Sequence, residues 1–81
     1  METPPISILV IDADSVSRNY LAAMLGKGGY TVLSAAVGRE GLISAWRDQP
    51  GIIIFDAALP DLSGLDLVTR LRQDRRTSTV A

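Results

Sequence analysis

The sequence predicts an α/β fold in which a parallel three-stranded sheet alternates with three helices. Three observations lead there. Ile8-Leu9-Val10-Ile11 and Ile52-Ile53-Ile54-Phe55 are short, continuous, β-branched runs, the pattern of strands covered on both faces of a parallel sheet. Apolar residues at helical spacing fill the stretches between strands. Gly28-Gly29 and Pro50-Gly51 punctuate the chain where one element should give way to the next. The resulting order, β-α-β-α-β-α, implies right-handed crossovers and a parallel sheet.

The first strand is expected within Ile6 to Asp12 and ends in an aspartate. The first helix follows over about Ser15 to Lys27, with Val16, Tyr20 and Met24 on one helical row and Leu21 and Leu25 on another. Gly28-Gly29 stops it. A weaker strand covers Tyr30 to Ala35, and a second helix covers about Arg39 to Gln49, stopped by Pro50-Gly51. The third strand lies within Gly51 to Asp56 and again ends in an aspartate. The third helix runs from Gly64 to Gln73, with Ser63 as its N-cap and Asp66 three residues on, a capping-box-like start. Leu65, Val68 and Leu71 form its apolar stripe.

Composition narrows the function. The 81 residues amount to one small domain, and 47% of them are hydrophobic, enough for a core and too many for a disordered segment. A chain of this size buries only about 60% of its unfolded surface, so marginal stability is expected. Eight basic and nine acidic residues leave a net charge of -1, which gives no electrostatic reason to bind nucleic acid or an anionic membrane. The absence of cysteine excludes disulfides, thiol catalysis and cysteine-ligated zinc. The absence of histidine excludes every His-dependent triad and metal motif. The longest apolar run, Leu21 to Leu25, is far short of the ~18 residues of a membrane span. Met1 to Pro5 does not read as a signal peptide, and a cytoplasmic location fits.

In open α/β sheets, ligands bind outside the carboxyl ends of the strands. Asp12, Asp14 and Asp56 are all placed there. Clustered carboxylates repel, and the usual reason to gather them is a hard divalent cation such as Mg2+, which takes oxygen ligands and works with phosphate. The plainer role, helix capping, suits Asp14 above all.

These residues carry a resemblance. Ile8-Leu9-Val10-Ile11-Asp12-Ala13-Asp14-Ser15, with Arg18 six residues after Asp12, resembles the opening of a response-regulator receiver domain. Phe55-Asp56-Ala57-Ala58-Leu59-Pro60-Asp61-Leu62-Ser63-Gly64 resembles its phosphorylation loop, an aspartate followed by Pro at +4 and Gly at +8. Gly29-Tyr30-Thr31-Val32, Ala35, Gly38, Leu42, Leu65, Leu71 and Arg72 also fall where that family places them. The likeness covers about residues 6 to 80.

The resemblance implies a truncated flavodoxin-like receiver fold with strand order 2-1-3. Residues 1–5 would be a flexible tail, 6–76 the domain, and 77–81 a stub before a fourth strand. It implies a signalling module and not an enzyme, a phospho-acceptor in a two-component phosphorelay. Asp56 would take the phosphoryl group from a histidine kinase or phosphotransfer protein. Asp12, Asp56, the Ala58 backbone carbonyl and, as a substitute, Asp14 would hold Mg2+. Pro60 and Gly64 would shape the loop. Two departures stand out. The family's second acid after the first strand, a direct metal ligand, is here Ala13, so weak metal binding is expected. The chain also ends before the positions of the family's later Ser/Thr and Lys, so impaired phosphorylation is expected.

Two rival readings come from other classes. A degenerate receiver would act only in protein contact. A haloacid-dehalogenase-type phosphatase would use Asp12-Ala13-Asp14-Ser15-Val16, with Asp12 as nucleophile and Asp14 as general acid, but leaves the Asp56 to Gly64 pattern unexplained. Nucleotide-binding Gly motifs are absent: Gly26-Lys27-Gly28-Gly29 closes a helix instead of opening one. Trp46 reads as core. Arg70, Arg72, Arg75 and Arg76 read as a solvated helix end favourable to the helix dipole. Finally, an apolar third strand with a free outer edge predicts a homodimer formed by antiparallel pairing of that edge.

Overall fold

The structure, a computed structural model, describes residues 5–81. Of the expected N-terminal tail, residues 1–4 lie outside the described part. The elements run β1 (Ser7–Ile11), α1 (Ser15–Lys27), β2 (Thr31–Ala35), α2 (Gly38–Asp48), β3 (Ile52–Phe55) and α3 (Gly64–Gln73). The sheet has the order β2-β1-β3, and both pairings are parallel. Ile11 stands beside Ala35 on one side and beside Phe55 on the other.

β1 is the spine of the sheet because both of its edges are paired and both of its faces are covered. Ile8, Leu9, Val10 and Ile11 are all at most 3% exposed. Leu9 and Ile11 enter the main core with Ala35, Leu42, Ala45, Leu59, Leu67 and Leu71, so α2 and α3 cover that face. By strand alternation Ile8 and Val10 face the opposite side. There α1 packs on β1 and β2. α1 contributes no fully buried residue. Leu21 and Leu25 are half-buried, whereas Val16, Tyr20 and Met24 form an outward row, 75%, 66% and 51% exposed.

The caps follow the local chemistry. Asp14 caps α1, and Ser63 caps α3 by accepting the Asp66 N–H at 3.1 Å. α1 ends at Gly28, and Gly29 turns the chain with φ of 93°. α2 ends one residue before the expected Pro50 boundary, because Gln49 adopts the left-handed conformation (φ 46°) that closes a helix.

The expectation for β3 needs correction. The apolar run of β3 predicts burial on both faces, but Ile52, Ile53 and Phe55 are half-buried and Ile54 is 38% exposed. β3 lies at the rim of the sheet, and among the described residues only its inner edge has a strand beside it. Its outer edge is nevertheless not wholly free, since the Ile53 N–H donates to the Ala81 carbonyl at 2.9 Å. Within residues 77–81, one side chain packs back on α3. Thr77 is 2% exposed, and its hydroxyl donates to the Leu71 carbonyl at 2.6 Å. Leu71 lies in the last turn of α3, where carbonyls lack helical partners. The hydroxyl supplies one, so a polar residue can be buried there without penalty. Arg72 adds a bond to the Ser78 carbonyl, and the Arg76 guanidinium stacks over the Trp46 ring at 5.6 Å.

Candidate functional site

Parallel pairing sets the acidic edge. The ladder continues one residue beyond each strand: the Asp12 N–H donates to Ala35 at 3.1 Å and the Asp56 N–H to Ile11 at 3.0 Å. Asp12 and Asp56 therefore leave neighbouring strands side by side, at the strand spacing of about 4.8 Å. The Asp12 carboxylate accepts the Asp14 N–H on Oδ1, and Asp56 accepts the Ala58 N–H on Oδ1. Each of these short turns fixes one oxygen and leaves Oδ2 without a hydrogen bond among the described residues. Asp56 is exposed and Asp12 half-buried.

Asp14 is placed differently. Its Oδ1 accepts the Val16 N–H and its Oδ2 the Ser17 hydroxyl, both at 3.0 Å. Both oxygens serve the start of α1. Arg18, one turn into that helix, reaches back to the Asp12 carbonyl at 2.6 Å and fixes the direction of the loop. Ala13 is exposed and offers no oxygen side chain.

The segment from Asp56 to Ser63 is held at two points. Leu59 is 8% exposed and anchors it in the core. Asp61 anchors it to α2, accepting the Gly38 N–H at 2.8 Å and the Arg39 N–H at 2.9 Å. Val37, the residue before α2, has no side-chain cap bond, so a carboxylate from another loop does the capping. Gly64 closes the segment: a Cβ there would sit 3.3 Å from Phe55 Cε2 and 3.6 Å from Ala57 Cα. Sequence reading gives Asp61 no role. The signal that could have found it is an uncapped helix, since an apolar Val37 cannot satisfy the N–H groups at the start of α2.

The hydrogen bond from the Arg39 N–H, aided by that from Gly38 and by the Arg39 charge, holds the Asp61 carboxyl below its usual range against the opposing effect of burial. Asp74, bonded first by the Arg76 side chain and then by its N–H, is held at about 2. Carboxyls depressed in the folded state stabilise it above their unfolded value, near 3.8, and stop doing so as pH falls through the folded value. Thermal melts followed by circular dichroism should therefore be level from neutral pH to about 5 and fall below about 4. Asp61→Asn should melt lower than the parent at neutral pH, and that gap should close at low pH. A gap that stays constant down to pH 2 would mean that Asp61 does not stabilise the fold through its charge.

The oxygens that the two turns leave without a hydrogen bond, one on Asp12 and one on Asp56, are hard donors. Among the described residues, no group of three or more Asp, Glu, His or Cys side chains is arranged to hold a metal ion. Mg2+ commonly uses only one or two carboxylates and keeps several waters, so the pair fits it in donor type and number.

Comparison with known proteins places this architecture. The family described as "Response regulator receiver domain" matches residues 8–81. The chain belongs to that family. It is similar to protein PilH of Pseudomonas aeruginosa, 33% identical over 73 residues, covering 90% of this chain and 60% of that protein. It is also similar to the probable transcriptional regulatory protein TcrX of Mycobacterium tuberculosis, 31% identical over 70 residues, covering 86% of this chain and 30% of that protein. Among solved structures, chemotaxis response regulator CheY4 of Vibrio cholerae superposes with a TM-score of 0.90 at 28% identity, covering 94% of this chain and 63% of that one. A response regulator from Chloroflexus aurantiacus gives 0.88 at 34% identity, covering 94% and 62%. This receiver chain thus spans less than two-thirds of the length of each of these relatives. The β2-β1-β3 sheet with three helices is the corresponding part of the receiver fold.

Proposed function

We propose that this receiver chain is a phospho-accepting module of a two-component phosphorelay, with Asp56 as the acceptor. The supporting observation is the pairing of Ile11 with Phe55, which sets Asp12 beside Asp56 at the carboxyl edge. The donor is the phosphohistidine of a histidine kinase or phosphotransfer protein. An Asp56 carboxylate oxygen attacks phosphorus, and the P–N bond breaks as the P–O bond forms. The bonding pair returns to the imidazole nitrogen, and the product is an aspartyl phosphate. Bound Mg2+ would offset the negative charge gathering there. Asp12, Asp56 and the Ala58 carbonyl would hold it, and Asp14 could assist only through lone pairs not used in capping α1. The module is a signalling switch and not an enzyme. A cytoplasmic location is part of this proposal; among the described residues no helix is long and apolar enough to cross a membrane.

Acetyl phosphate with Mg2+, borohydride trapping and peptide mapping tests the assignment. The label is expected on Asp56 and should vanish in Asp56→Asn. A label on Asp12 with Asp56 unmodified would overturn the mechanism and favour the phosphatase-like reading. Ala13 favours a second reading, a receiver used only for protein contact. In that case intact mass shows no phosphoryl adduct while partner binding persists.

Self-association through β3 belongs to the same proposal. Apart from the Ile53–Ala81 bond, no strand lies beside the outer edge of β3 among the described residues, and an antiparallel partner would pair there. Sedimentation equilibrium should show a two-fold dimer, and a folded monomer at high micromolar concentration would refute it.

A further inference from the structure

A cavity of about 450 Å³ lies between α2 and α3, with Asp61 and Leu62 of the segment after β3 also in its wall. Its walls combine Leu42, Ile43 and Trp46 of α2 with Arg39, from the first turn of α2, and Arg70, from the last part of α3. The ion pairs among the described residues are Arg47–Asp48 and Arg76–Asp74, and neither cavity arginine takes part. Neither guanidinium has a hydrogen-bond acceptor among the described residues. The cavity's carboxylate, Asp61, has both oxygens committed to N–H groups of α2. The Trp46 indole N–H is buried with no acceptor, a state in which buried donors are rarely left. Ile43 is 56% exposed, an apolar side chain at the mouth of the cavity.

We propose that this groove binds a small aromatic carboxylate. The volume falls within the range of small-molecule sites, which are mostly apolar with a few convergent polar groups. An aromatic body would lie against Leu42, Ile43 and Trp46. The carboxylate would be held by Arg39 and Arg70, whose planar guanidinium groups match it bidentately. Two arginines from different helices, without an ion pair or side-chain hydrogen bond among the described residues, outnumber the cavity's one carboxylate, Asp61, and give the groove a charge complementary to an anion. Nothing in this binding depends on phosphorylation, so it stands apart from the function proposed above.

The probe is 2-naphthoate, titrated into the ¹⁵N-labelled full chain and read by two-dimensional NMR. The chain has a single tryptophan, so the indole N–H signal of Trp46 is unambiguous. Saturating shifts are expected at that signal and along the facing sides of α2 and α3, with a dissociation constant on the order of 0.1 mM. Arg39→Gln and Arg70→Gln, both at exposed positions, should each weaken binding about tenfold without altering the fold. The neutral methyl ester should bind at least as poorly as those variants bind the acid. Equal binding of acid and ester, or unchanged binding by both variants, would overturn the proposal. So would shifts confined to the outward row of α1, or no saturation at millimolar probe.

Discussion

Replacing Gly41 with alanine is expected to lower the melting temperature, while the same replacement at Gly26 raises it. Both glycines lie inside helices, where alanine gains about 1 kcal/mol in propensity. At Gly26 a Cβ would meet nothing within 4 Å, so the gain is kept. At Gly41 the Cβ would press on the Cδ1 of Ile11, lie 2.8 Å from its Cγ1 and 3.2 Å from its Cγ2. Ile11 is 0% exposed at the end of the central strand and cannot swing away. Overpacking of this kind costs about 1–3 kcal/mol and outweighs the propensity gain. For a domain this small each kcal/mol moves the midpoint by about 4–8 °C. Gly41→Ala should thus melt several degrees below the parent. Ile11→Val, which removes the Cδ1 in conflict, should recover part of the loss in the Gly41→Ala background. Differential scanning calorimetry of the parent and the three variants reads this directly. A Gly41→Ala protein at least as stable as the parent would show that α2 can retreat from the sheet.

Ala13→Asp is expected to tighten Mg2+ binding at least tenfold, about 1.4 kcal/mol. The position lies between two aspartates in the loop that follows β1, and it is exposed. A carboxylate there adds a hard oxygen ligand beside Asp12 and Asp56, and affinity for such cations rises with ligand charge. It also adds a like charge to a crowded edge, so the metal-free variant should melt below the parent. Saturating Mg2+ should remove that deficit, because a ligand that binds only the folded state stabilises it. Trp46 lies in the second half of α2, away from the loop. Isothermal titration calorimetry is therefore the better readout. Equal affinities in the two proteins would mean that residue 13 does not face the metal position.

The reading of the sequence succeeds where local chemistry decides the outcome. α1 and α3 begin and end where their own residues direct, with Asp14 and Ser63 as caps and Gly28 and Gly29 as the stop. Asp12 and Asp56 emerge together because each terminates a strand whose apolar run is plain in the sequence. It falls short where the deciding partner is distant. α2 starts one residue earlier than expected, at Gly38, because its cap comes from Asp61. The tract after α3 reads as solvated because its side chains are polar, but Thr77 is buried by bonding back to Leu71. β3 has the composition of an interior strand, yet composition alone does not reveal that, among the described residues, its outer edge has a single backbone bond, to Ala81, and no strand beside it.

The central place of β1 has a consequence for how the chain comes to be folded. No strand pairs with one joined to it by a tight turn. Ser7 must find Thr31 and Ile8 must find Ile52, partners 24 and 44 residues further along. Closing a loop twice as long costs only about 0.6 kcal/mol more, so the longer closure is not much harder than the shorter. Both must still precede the complete sheet, and non-local pairing of this kind slows folding. On the ribosome, the Ile8 to Ile11 run leaves the exit tunnel before β2 and β3 and has no partner on its second edge until β3 has been made. Its most apolar segment is therefore the one left waiting longest, and aggregation of nascent chains would begin there.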